Sequence, residues 1–123
     1  MARPLLSDSA YTERTATKVA DFHREVVDEV AKAVEGEPLV LVGMSQNPFV
    51  RKARAALKQA DLPFTYLEYG SYMSQWKPRL AIKMWSGWPT FPQVFVRGAL
   101  LGGFTDLAKA IADGSLKTQL DEG

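Results

Sequence analysis

The run Leu39-Val40-Leu41-Val42, bounded by Pro38 and Gly43, constrains the fold more than any other part of the chain. Four consecutive apolar, partly β-branched residues show no polar alternation, so the run reads as a strand buried on both faces, the kind found in a sheet covered by helices on each side. Asn47-Pro48 follows almost at once and marks a helix start: Asn caps exposed amide donors, and Pro at the first helical position gives up only a donor that would be unpaired anyway. Val50, Ala53, Leu57 and Ala60 then fall on one face, and Leu62-Pro63 closes that helix.

Before the strand, Val19, Phe22, Val26, Val30 and Ala33 recur three or four apart among charged residues, which predicts a single amphipathic helix over Thr15 to Glu35 ending at Gly36. His23 falls inside it, alone and without convergent partners for base or metal chemistry. Residues 1–12 are polar and aperiodic and are expected to be a flexible lead to a single domain over residues 13–123. After the second helix, Phe64 to Tyr69 alternates as a strand, and Trp76, Leu80, Lys83 and Met84 fit a short helix. Gln93 to Val96 and Ala99 to Leu101 are brief strands joined by Arg97-Gly98, the spacing of a tight hairpin. A last helix carries Leu107 and Ile111 inward and has Gly114 past its end. This order predicts an α/β fold: a four-stranded mixed sheet flanked by helices, with an extra helix at the N-terminus.

At 123 residues with 46% hydrophobic residues the chain can bury a real core. It contains no cysteine, which excludes disulfides, thiolate metal sites and any dithiol chemistry of its own. Net charge is +1, so no bulk nucleic-acid or membrane-surface partner is expected. The distribution is uneven. Five basic and eight acidic residues precede Pro38, whereas Met44 to Arg97 holds eight basic residues and only Asp61 and Glu68 as acids, which suits an anionic partner. No apolar run approaches the roughly 20 residues of a membrane-spanning helix, and no secretory stretch opens the chain, so the expected location is cytoplasmic.

Three segments carry a family resemblance: Gly43-Met44-Ser45-Gln46-Asn47-Pro48-Phe49-Val50, Trp88-Pro89-Thr90-Phe91-Pro92-Gln93 and Gly102-Gly103-Phe104-Thr105-Asp106-Leu107. Together they resemble the glutaredoxins, of thioredoxin-like fold, over roughly Leu39 to Leu116. The Trp-Pro-Thr-x-Pro-Gln string points to the monothiol branch. In that family a Cys-Pro-Tyr-Cys or Cys-Gly-Phe-Ser motif sits where this chain has Asn47-Pro48-Phe49-Val50, so Asn47 stands at the cysteine position and Met44 where a lysine is common. The resemblance implies a cis bond before Pro92 and a glutathione site formed by the Phe91 backbone, Pro92, Arg79 at the glycyl carboxylate, and Gly103, Phe104 and Thr105 at the γ-glutamyl end. Thr105 replaces the family's Asp and loses an acceptor for the ligand's ammonium. Without a thiolate there is no catalytic residue for disulfide exchange and no cluster ligand.

The expectation is therefore a redox-inactive module that binds glutathione weakly, or a partner protein, without a metal. Two alternatives are a monothiol glutaredoxin whose cysteines have been replaced and a transferase-like enzyme in which Ser45 or Asn47 activates the thiol of glutathione. The aromatic residues Tyr69, Tyr72, Trp76, Trp85, Trp88 and Phe91 are expected to be mainly core, with an exposed partner patch as the alternative.

Overall fold

In the computed structural model, which describes residues 4–122, the apolar run forms β1 (Leu39–Gly43), buried along its whole length. β2 (Thr65–Glu68) lies parallel to it, with Val40 opposite Thr65 and Gly43 opposite Glu68. On its other side β3 (Gln93–Val96) runs antiparallel, and β4 (Ala99–Gly102) pairs antiparallel with β3. The order across the sheet is β2-β1-β3-β4. Arg97 and Gly98, at φ of 49° and 82°, make the two-residue turn between β3 and β4, the geometry a hairpin of this length requires.

The described residues also form α1 (Glu13–Asp21), α2 (Arg24–Gly36), α3 (Pro48–Gln59), α4 (Trp76–Ser86), α5 (Phe104–Ala112) and α6 (Ser115–Glu122). Alternation along β1 separates two cores. Leu39 and Leu41 pack with Ala53, Leu57, Leu107 and Leu116 of α3, α5 and α6, while Val40 and Val42 pack with Val30, Val34 and Ile82 of α2 and α4. Each fully buried Leu, Ile or Val among them contributes about 1.5–3 kcal/mol relative to exposure. The mixed sheet covered on both faces is the architecture the sequence predicts. No helix among the described residues is long and apolar enough to cross a membrane.

Three expectations need correction. The helix predicted over Thr15 to Glu35 is two helices: it breaks at Phe22 and His23, and His23 stands at a left-handed φ of 44° just before α2 rather than within a helix. α2, at about 20 Å, already spans the roughly 17 Å length of β1, so the apolar period that continues into α1 has no sheet left to cover. Accordingly α1 has no buried residue. Gly114 is not past the last helix but between α5 and α6, at φ 79°, and α6 docks through Leu116. On α4 the side chains that enter the core are Ala81 and Ile82, whereas Trp76, Leu80 and Met84 face outward. Of the expected lead, residues 1–3 lie outside the described residues; Asp8–Ala10 form one 3-10 turn and Thr12 caps α1 by accepting from Thr15 N.

Two contacts fix how the strands meet the helices. At the end of β1 a Cβ on Gly43 would stand 2.6 Å from Val50 Cγ1 and 3.2 Å from Tyr66, so only a glycine lets the first turn of α3 come this close. Gly43→Ala is expected to destabilise the fold by about 1–3 kcal/mol, because β-branched Val50 cannot swing away; a melting temperature within 2 °C or so of the parent would contradict that packing. Beyond β2, the buried Tyr69 donates its hydroxyl to Glu29 of α2. Burial, then the hydrogen bond and the charge of Glu29, hold its hydroxyl well above the ordinary tyrosine range. A raised folded-state value means this stabilisation is complete below about pH 10 and drains away as pH rises further. Melting temperature followed into alkali should therefore fall from about pH 10, and fall less steeply in Tyr69→Phe.

Candidate functional site

The turn after β1 delivers Asn47 to the amino end of α3. Ser45 holds that turn by donating both its amide and its hydroxyl to Gly70 O, at 2.8 and 3.0 Å, and Gln46 takes a φ of 66°. The Ser45 hydroxyl is thereby engaged with the backbone. Asn47 Oδ1 accepts from Phe49 N at 2.9 Å and Val50 N at 3.2 Å, and its Nδ2 reaches Phe91 O at 3.5 Å. Pro48 has no N–H, and Arg51 N donates to Asn47 O at 3.1 Å. Every amide in the first turn of α3 is therefore absent or taken, and the helix end that would stabilise an anion is closed by a neutral side chain.

Across from Asn47 lies the Phe91–Pro92 bond, which is cis as the resemblance implies. Next to it, α5 begins. Gly103 N donates to Asp106 Oδ2 at 3.1 Å, and a Cβ on Gly102 would collide with the same carboxylate, so the glycine pair is what admits this cap. The Phe104 and Thr105 amides are first-turn donors with no acceptor inside their own helix. The indole Nε1 of Trp88, next to Gly103, is buried and has no hydrogen-bond partner.

Arg79 of α4 lines the same space. It is only 7% exposed, and its Nη1 donates to Tyr69 O at 3.0 Å and Ser74 O at 2.6 Å. It is not a solvated helix-face arginine: burial pushes its guanidinium below the ordinary value. The ion pairs among the described residues are His23 with Glu25 and Arg24 with Asp28, so this buried cation has no carboxylate beside it. Lys83, one turn on, lies with Nζ 5.6 Å from the Phe91 ring centre.

These groups line one groove of about 530 Å³, and Arg79, Phe91, Pro92, Gly103, Phe104 and Thr105 all reach it together with Asn47 and Met44. Sequence reasoning missed Phe49, Tyr72, Lys83 and Asp106, which line it too. The excess of basic residues after Met44 was the available signal for Lys83. The aromatic segment divides: Tyr69 and Phe91 are buried, whereas Tyr72, Trp76 and Trp85 are exposed.

The family model for glutaredoxin matches residues 39–101. The chain is 43% identical over 109 residues to a glutaredoxin-like protein of Dictyostelium discoideum, covering 89% of each. To glutaredoxin 4 of Haemophilus influenzae it is 30% identical over 104 residues, covering 80% of this chain and 94% of that protein. Among solved structures, oxidized glutaredoxin 2 from Chlamydomonas reinhardtii superposes with a TM-score of 0.70 at 29% identity, covering 81% of this chain and 94% of that one.

Replacing the cap tests what the α3 end can do. Asn47→Cys should fold and give a thiol that titrates below the free value of about 8.5, because the Phe49 and Val50 amides would donate to a thiolate. The apolar Met44 alongside should keep the shift modest. Alkylation rate against pH reads the value directly; titration at or above the free value would mean that these amides do not reach the sulfur.

Proposed function

The chain belongs to the glutaredoxin family, and we propose that it serves there as a binding module, holding glutathione non-covalently in the Asn47–Arg79 groove without redox chemistry. The observation that carries this reading is Arg79: a buried guanidinium, fixed on one edge by two backbone carbonyls and facing the groove without a carboxylate, is a preformed anchor for an anionic group. The open amides of Phe104 and Thr105 suit a second carboxylate at the amino end of α5. A tripeptide with a carboxylate at each end matches that pair of sites, and the Phe91 backbone between them can pair with its middle residue.

The chemistry of the donor set limits what else the groove can do. No cysteine is present to attack a disulfide or ligate iron, and the described residues contain no cluster of three His, Asp or Glu side chains. A transferase role through Ser45 is disfavoured because its hydroxyl already donates to Gly70 O. Asn47 has its oxygen held by α3, and its nitrogen, with two N–H donors, makes one long contact to Phe91 O, so it is a neutral hydrogen-bond donor at most and no base.

Calorimetric titration with reduced glutathione tests the proposal. Binding is expected in the millimolar to high-micromolar range, about −4 to −6 kcal/mol. Arg79→Gln should weaken it by at least about tenfold, the worth of one charge-assisted bond. That variant also frees two backbone carbonyls, so Thr105→Asp provides an independent arm: it restores an acceptor for the ligand's ammonium and should tighten binding about five- to tenfold. No heat of binding at about 10 mM glutathione would overturn the reading. In the same preparation, turnover of a glutathione mixed disulfide should stay at the uncatalysed rate.

A further inference from the structure

The rim of the groove has a chemistry of its own. Phe49, Tyr72, Met73 and Trp76 are 53%, 60%, 92% and 59% exposed, an unusual concentration of large apolar side chains in solvent. Phe49 and Tyr72 line the groove directly, and Met73 and Trp76 continue from Tyr72 into the start of α4. Two of the rings carry ammonium groups: Lys52 Nζ lies 5.4 Å from the Phe49 centroid and Lys77 Nζ 5.6 Å from that of Trp76.

The helices on which Phe49 and Trp76 lie carry charge of one sign, while Asp106 of α5 is the acid that also lines the groove. α3 contains Arg51, Lys52, Arg54 and Lys58, α4 contains Lys77, Arg79 and Lys83, and neither helix contains an acid. The ion pairs among the described residues, His23–Glu25 and Arg24–Asp28, include no residue of α3 or α4. Net charge for the chain is only +1, so this is a local field and not the general charge of the protein.

We infer that this rim docks an acidic peptide segment of a partner protein whose carboxylates alternate with aliphatic or aromatic side chains. Apolar side chains of the partner cover Met73, Tyr72 and the free edges of Trp76 and Phe49, and its carboxylates meet Lys52 and Lys77. Both attractions are needed, because an apolar partner alone would bury two ammonium groups unpaired and an acidic one alone would leave four large side chains in water. A nucleic-acid strand is a competing occupant; a lysine over one face of Phe49 and one of Trp76 reduces the ring surface left for base stacking. This surface does not depend on what fills the groove, so its test is separate from glutathione titration.

The test is fluorescence anisotropy with the full chain and a labelled synthetic peptide in which Glu alternates with Leu and Phe. Its counterpart with Lys for every Glu, a labelled oligouridylate and vesicles of anionic phospholipid serve as competing occupants. The acidic peptide should bind, weaken as salt is raised, and exceed the basic peptide by at least about tenfold. Trp76→Ala should cost about tenfold or more, as truncation of a central aromatic does. Lys52→Glu with Lys77→Glu should cost as much, and Lys117→Glu on α6 should change nothing; all these side chains are exposed, so folding is preserved. Equal binding of the acidic and basic peptides, no binding of the acidic one, a loss in Lys117→Glu equal to that in the rim variants, or tighter binding of oligouridylate or vesicles would each overturn the inference.

Discussion

Burial of β1 on both faces is the constraint from which the rest follows. Alternate side chains of one five-residue strand anchor two separate cores, so α2 and α4 are held on one side and α3, α5 and α6 on the other. The strand ends in Gly43, whose missing side chain lets Val50 close onto the sheet. That contact sets the position of the first turn of α3, and with it Asn47. The groove is thus a product of the core: its walls are the points where a buried strand, the Phe91–Pro92 segment and α5 come together.

Within the groove two helix ends divide the electrostatic work unequally. α3 has spent its donors on Asn47 Oδ1 and on its own backbone, whereas α5 retains the Phe104 and Thr105 amides. Positive potential is therefore supplied by the open amides of α5 and by Arg79, which line the space together with Asn47. Desolvating a guanidinium is costly, and Arg79 offsets that cost with two backbone carbonyls, not with a counter-charge. What is left over is net charge directed at a cavity.

How much of this was legible beforehand depends on whether a residue's role was local. The Asn47 cap, the Arg97-Gly98 turn and the buried run of β1 each follow from a few adjacent residues, and each stands in the structure as the sequence implies. Roles that depend on distant surfaces were not legible. The apolar period from Val19 to Ala33 runs on without regard to where the sheet stops, so the break at His23 left no mark in it. Trp76, Leu80 and Met84 have helical spacing but no partner surface, and α6 offers only Leu116 and Leu120 to announce itself. Arg79 could be aligned with a ligand residue, yet its burial and its two carbonyl partners required the fold.

A carboxamide at the Asn47 position has no titration and no oxidation step in the range where proteins work. A thiol there would pass among thiolate, sulfenic acid and mixed disulfide as its surroundings changed, each form with its own charge and bulk. Asn47, with its oxygen held by the first turn of α3, presents one chemical form to the groove at every redox poise and across neutral pH. At this position the protein adds no redox-dependent form of its own, so what Asn47 presents to a ligand is the same whichever way the compartment is poised.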